Sequence, residues 1–339
     1  MPKLPRHALA LSVELVFGPC RTIDTLSQMS ATPAAPFAAL MPAGPGTAEL
    51  DRIADTLESM HFFEPNVSRV VIVDDEPGAN RDVLGAAGPL RDRTTVIANP
   101  RSRTAHWWSE GVLVGVAAGL EELLGNGPPV DWVLRLDTDA LIIGPFSGSI
   151  SDRFASDSRI GLVGSYLRRA DGTLRDFSGP AKPLRKLRAP VSVWRRQRRV
   201  KTSLFGVARE RRHVIEAAER NGYQLGQHCQ GGAYALSMEA VRSIGSRGWL
   251  DCRLWRGTYV SEDVIMAVQI RSLGYLMEGM VEPGEPFAVR HVGLPGEPRA
   301  LRDAGHGVVH SIKTHGNWTE QGLRDEFRAL RLEQAAPDP

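Results

Sequence analysis

Short runs of aliphatic and β-branched residues alternate along the chain with longer stretches whose apolar positions recur every three to four residues. The first pattern suits buried strands and the second amphipathic helices, and their alternation predicts an α/β sheet with helices on its faces. Residues 11–17 (LSVELVF) read as a first strand, and the Pro-, Ala- and Gly-rich stretch 31–46 reads as surface loop. Helical spacing over 47–60 places Leu50, Ile53, Ala54 and Leu57 on one face. Residues 69–73 (RVVIV) predict a buried strand that ends in Asp74, Asp75 and Glu76. A third strand is expected over 94–98, then a loop over 99–104 and a long helix over 106–124, stopped by Gly125-Asn126-Gly127-Pro128-Pro129.

Residues 131–136 (DWVLRL) predict a strand that runs directly into Asp137-Thr138-Asp139. Further strands are expected at 160–165, 231–237, 287–289 and 308–312, with helices at 209–221, 238–244 and 261–273. The final residues, 331–339, read as a disordered tail. With no internal repeat and no clean linker, one integrated domain over 8–330 is expected.

Composition leaves this picture in place. Of 339 residues, 42% are hydrophobic and 24% charged, ordinary for a globular protein, and the net charge of +2 gives no reason to expect a nucleic-acid partner. Cys20, Cys229 and Cys252 are odd in number and far apart, which argues against a disulfide framework or a zinc site and for a reducing compartment. The apolar run 8–17 contains Glu14, unlike a signal-peptide core, and nothing reaches the roughly 20 apolar residues that span a bilayer. The expectation is a soluble cytoplasmic protein without a transmembrane segment.

The strongest chemical feature is the pair Asp137 and Asp139, which follows one apolar run and precedes another. Carboxylates at the end of a buried strand invite a hard divalent cation, which in turn can bridge to nucleotide phosphates. The alternative is a solvated turn. The stretch Gln230-Gly231-Gly232-Ala233-Tyr234-Ala235-Leu236-Ser237 follows downstream, then Ser261-Glu262-Asp263-Val264 and Val309-His310-Ser311-Ile312-Lys313. Glycines without side chains permit close backbone approach. Taken alone, acids behind an N-cap serine are an ordinary helix start.

In this order the motifs resemble the GT-A glycosyltransferases, in particular the inverting β1,3-glycosyltransferase and Fringe-like branch and related families, over about residues 70–313. That resemblance implies a Rossmann-like mixed sheet flanked by helices, with a nucleotide-sugar-binding half over 8–150 and an acceptor-side half over 151–330. It implies Mn²⁺ or Mg²⁺ held by Asp139 and His310, with Asp137 facing the ribose or holding the metal through water, and His315 as a substitute ligand. Asp263 would be the general base and Glu262 would orient it or the acceptor. Asp74 or Asp75 would meet the base or ribose, Arg101 and Arg103 the donor phosphates, Gly231 and Gly232 the sugar, and Lys313 the leaving diphosphate. The implied reaction is transfer of a hexose from a nucleotide-sugar, by default a UDP-sugar, to an acceptor hydroxyl with inversion. Trp107 and Trp108 are candidates for stacking or for core.

Between Phe177 and Arg209 there is no acidic residue, while ten are Lys or Arg. This segment, 177–209, reads as a solvated loop or as a surface for an anionic acceptor, an acidic partner or a membrane. Three other functions make different demands on the sequence. A haloacid-dehalogenase-type phosphatase would use Asp137 as nucleophile, but its motif usually stands near the chain start. A nucleotidyltransferase would carry a Gly-rich basic loop after its first strand, which Val16-Phe17-Gly18-Pro19-Cys20-Arg21 matches poorly. A non-catalytic sugar-binding protein on the same fold would have little use for two aspartates, a Glu-Asp pair and a late histidine.

Overall fold

The computed structural model describes residues 35–78, 81–100, 108–189 and 202–335. Twelve strands occur among them: β1 (Phe37–Ala43), β2 (Arg69–Asp74), β3 (Thr94–Ala98), β4 (Trp132–Leu136), β5 (Leu141–Ile142), β6 (Ile160–Gly164), β7 (Ala233–Ser237), β8 (Leu276–Gly279), β9 (Phe287–Val289), β10 (Val308–His310), β11 (Thr314–His315) and β12 (Trp318–Thr319). The helices are α1 (Ala48–Phe63), α2 (Val83–Ala86), α3 (Trp108–Gly125), α4 (Ser147–Ser156), α5 (Ser178–Arg188), α6 (Thr202–Arg220), α7 (Met238–Ser246), α8 (Glu262–Ser272), α9 (Pro298–Asp303) and α10 (Glu320–Ala335). No described helix is long and apolar enough to cross a membrane.

Seven strands form the main sheet in the order β3-β2-β1-β4-β7-β6-β8. β1 to β4 pair in parallel, and β7 runs antiparallel to both β4 and β6. The expectation of a mixed α/β sheet flanked by helices in a single compact unit holds for the described residues. A second sheet, β5-β10-β9, carries the late strands beside the end of β4.

Strand periodicity sorts the core into two layers. Ala38, Leu40, Val71 and Val73 point to the side where α3, α6, α7 and α8 pack, while Phe37, Ala39, Met41, Val70 and Ile72 point to the side of α1 and the small sheet. Because both faces are covered, these strands read as continuous apolar runs rather than alternating ones.

One expectation is overturned at the centre of the sheet. The segment 31–46 is not all loop: Phe37–Ala43 (FAALMPA) is β1, fully buried and paired on both sides. Alanine and proline favour strands poorly, but burial between two helical layers outweighs propensity here. Pro42 is tolerated because the ladder to β4 ends at Leu40, so this stretch of β1 has a strand only on the β2 side. The strand expected at 11–17 lies outside the described residues, as do Arg101, Arg103, Trp107 and most of the basic segment's centre.

Two further differences concern helices. α6 begins at Thr202, seven residues before the expected start, so the described C-terminal part of the basic segment is helix rather than loop. α10 continues to Ala335, across the first residues of the expected tail. Its arginines explain why: Arg324 and Arg331 are buried against α1, where Arg324 pairs with Asp55 at 2.7 Å and Arg331 with Glu58 at 3.2 Å.

Candidate active site

The carboxyl ends of β1 to β4 share one edge of the sheet, where ligands of open α/β folds bind. β4 leaves the core there and turns at once: Asp137 N–H donates to the Gly232 carbonyl at 2.7 Å, and Ala140 N–H returns to the Asp137 carbonyl at 3.0 Å. Ile312 N–H donates to the Asp139 carbonyl at 3.1 Å, which ties the turn to the end of β10. The two aspartates therefore face His310 across a gap set by backbone hydrogen bonds.

His310 Nε2 lies 3.3 Å from Asp139 Oδ1 and 3.8 Å from Asp137 Oδ2. The ligand atoms of Asp137, Asp139 and His310 all fall within 4.8 Å of one another. His310 Nδ1 is 2.7 Å from the Arg290 carbonyl, to which it donates, leaving Nε2 aimed at the acids. Two carboxylate oxygens and one imidazole nitrogen, oriented by a neighbouring carbonyl, fit a divalent cation such as Mn²⁺. Gly232 sits beneath this group at φ +107°, and a Cβ there would come within 2.3 Å of the His310 ring. That close approach is the reason a glycine is required at this point of the motif.

Burial alone would raise the Asp139 carboxyl. His310, Lys313 Nζ at 3.1 Å and the Ser311 hydroxyl at 2.8 Å instead hold it well below the usual range. Burial likewise opposes a charge on His310, yet Asp139 and Asp137 raise its pKa. Arg135, fully buried on β4, donates toward Asp137 at 2.9 Å and lies 3.6 Å from Glu262. These two acids are its ion-pair partners among the described residues, so it links the Asp137–Asp139 turn to the start of α8.

The two acids of α8 are shifted in opposite directions. Burial pushes the Glu262 carboxyl up to about 7 despite Arg135, and the Tyr234 hydroxyl donates to it. Burial would also raise Asp263, but the Ser261 hydroxyl at 2.5 Å and the backbone N–H groups of Gly231 at 2.9 Å and Val264 at 2.8 Å lower it and keep it ionised. His228 Nδ1 lies 2.7 Å from the Gly226 carbonyl, and Nε2 lies 2.8 Å from Arg175 and 3.4 Å from Asp263. Nε2 accepts from the guanidinium, so His228 is the neutral imidazole, in accord with burial lowering its pKa.

A cleft of about 610 Å³ brings these groups together, with Asp137, Asp139, His310 and Lys313 toward one part and His228, Gly231, Glu262 and Asp263 lining it as well. Arg169, Arg175, Asp176 and His291 add to its polar lining. Asp74 and Asp75 do not line it. Asp74 is engaged by Arg81 and by the Glu76 N–H at 3.0 Å, and Asn99 donates to Asp75. His315 turns away to Glu297 at 3.2 Å. Arg135, Arg175, His228 and Ser311 belong to the site although the sequence pattern assigns them no role. His228 stands two residues before the Gln230 of the glycine motif, which was the available signal, whereas Arg175 comes from a distant loop.

No family model and no curated protein matches the chain. Among solved structures it is similar to a mannosyltransferase from Pyrobaculum calidifontis, PcManGT, in complex with GDP-Man and Mn²⁺. That alignment has 14% identity, a TM-score of 0.41, and covers 91% of this chain and 67% of the other. It is also similar to the galactosyltransferase LgtC in complex with donor and acceptor sugar analogues, at 13% identity and a TM-score of 0.43, covering 89% and 97%. Likenesses this distant carry no weight for function, which rests on the side chains of the cleft.

Proposed function

We propose that this protein is a metal-dependent glycosyltransferase of the GT-A type, acting on a nucleotide-sugar donor and an acceptor hydroxyl. The observation that carries the reading is the convergence of Asp137, Asp139 and His310 in the same cleft as an ionised Asp263. A divalent cation held by these three side chains would neutralise charge developing on the departing diphosphate. Lys313, beside Asp139, adds a positive charge on the same side.

Asp263 is the group suited to take the acceptor's proton. Its carboxylate is oriented by three donors and is kept ionised, as a base must be. The acceptor oxygen would bond to the sugar's anomeric carbon as the bond to the diphosphate breaks, and the hydroxyl proton would pass to Asp263. Attack from the face opposite the leaving group gives inversion. Glu262, shared between Tyr234 and Arg135, acts by fixing the first turn of α8 rather than by touching substrate. UDP is the favoured nucleotide of this reading, and a hexose the favoured sugar.

The test is isothermal titration of UDP and of GDP into the protein with and without Mn²⁺, beside Asp139→Ala. Metal-dependent binding of one nucleotide, lost in the variant, is the expected result. Absence of nucleotide binding under every condition would remove the glycosyltransferase reading and turn attention to phosphorylated substrates.

A further inference from the structure

A second groove, of about 500 Å³, opens beside the cleft and shares Pro180 and Ser261 with its lining. Its volume is within the range of ligand sites, roughly 300–1,000 Å³. The floor is apolar, formed by buried Val260 and Val264, and one wall is α5. Lys182 and Lys186 stand on that wall four residues apart, on one face of the helix, both exposed. Tyr259, 70% exposed, lines the groove as well.

The two spaces differ in charge. Five carboxylates and four cations line the cleft, the latter Arg135, Arg169, Arg175 and Lys313, whereas the groove is lined by two lysines and by no described acidic residue. Neither lysine forms an ion pair with a described residue, although α6 beside them offers Glu219 to Arg188 at 2.6 Å. Exposed lysines that form no salt bridge with a described residue, on a helix that has no acid of its own, set up a local positive potential, to which Asp176 is the described acid that responds. The groove also starts at a defined chemical point, because the Ser261 hydroxyl donates to Asp263 Oδ1 at 2.5 Å.

We infer that this groove is the acceptor subsite and that the acceptor is an acidic saccharide, bearing a carboxylate or phosphate on the part that extends past Ser261. The inference rests on the glycosyltransferase reading above. With its reacting hydroxyl at Asp263, the remainder of such an acceptor runs over Pro180 and Ser261 into the groove. There Lys182 and Lys186 meet its negative charge, and the Tyr259 ring offers a flat surface to a sugar face.

The test is titration of the full chain, loaded with Mn²⁺ and nucleoside diphosphate, with three probes: trigalacturonate, maltotriose carrying a 6-phosphate, and neutral maltotriose. At least one acidic probe should bind at least tenfold more tightly than neutral maltotriose. The preference between the two acidic probes tells carboxylate from phosphate. Lys182→Ser/Lys186→Ser should weaken that probe at least tenfold, and raised salt should do the same to the wild-type chain. Tyr259→Ser, which leaves both charges in place, should weaken it while preserving its dependence on salt. Equal binding of neutral and acidic trisaccharides, no binding of either acidic probe, or unchanged binding in the double-lysine variant would each overturn the inference. Nucleoside diphosphate titrated into the wild-type chain with Mn²⁺, before any probe is added, separates the two failures. Retained nucleotide binding sinks the groove alone, and its loss sinks the glycosyltransferase reading beneath it.

Discussion

Arg324→Met should separate stability from metal binding when it is combined with Asp55→Leu. Arg324 on α10 is 5% exposed and donates to Asp55 at 2.7 Å; it also reaches the Thr138 carbonyl, in the turn between the two metal-site aspartates, at 3.3 Å. Removing it strands the Asp55 carboxylate in a buried position, with Arg328 at 3.4 Å as remaining partner. Breaking a buried pair costs about 3–5 kcal/mol, and the residual arginine argues for the lower end, about 3 kcal/mol. Replacing both partners with apolar residues is often neutral, so Asp55→Leu/Arg324→Met should regain most of that loss. The Thr138 carbonyl nevertheless stays without its guanidinium, and groups that brace a metal site commonly alter affinity by about 10–100-fold. The assay is urea unfolding for stability and calorimetric titration of Mn²⁺ with UDP for the site. Wild-type Mn²⁺ affinity in a double variant of restored stability would refute the idea that α10 braces the metal-binding turn.

Other consequences follow from the same geometry. Gly232→Ala would place a Cβ within 2.3 Å of His310 at a φ of +107°, and should lower Mn²⁺ affinity at least tenfold; unchanged affinity would show that the histidine can move aside. Asp263→Asn should abolish transfer while leaving nucleotide binding nearly intact, and an equal fall in donor affinity would remove Asp263 as base. Mn²⁺ at a hundred times its dissociation constant should stabilise the protein by about 2.7 kcal/mol, raising Tm by a few degrees in scanning fluorimetry, an effect absent in Asp139→Ala. Burial pushes the thiols of Cys229 and Cys252 up to about 12. At pH 8 both are therefore protonated and enclosed, and neither should be labelled by iodoacetamide until denaturant is added, as mass spectrometry of the two peptides would show.

The sequence by itself determined the strands and helices whose pattern is strong over a whole element. The runs RVVIV, TTVIA and DWVLRL appear as β2, β3 and β4 within a residue or two, because β2 and β4 are covered on both faces and so are mostly apolar, and the half-buried edge strand β3 keeps β-branched residues. The same logic exposed Asp137 and Asp139, since charge directly after such a run must leave the core. β1 was missed because FAALMPA carries weak local preference, and only its place between β2 and β4 makes it a strand. Tertiary structure alone decided which polar residues meet. His310 reaches Asp139 through a small sheet joining segments about 170 residues apart, and Arg175 meets His228 across 53. Asp74 and His315 lie in fitting places along the chain but engage Arg81 and Glu297. Spacing along a chain carries periodicity within one element, whereas a site is made by side chains of several elements converging in space, and that convergence is set by how their buried faces pack.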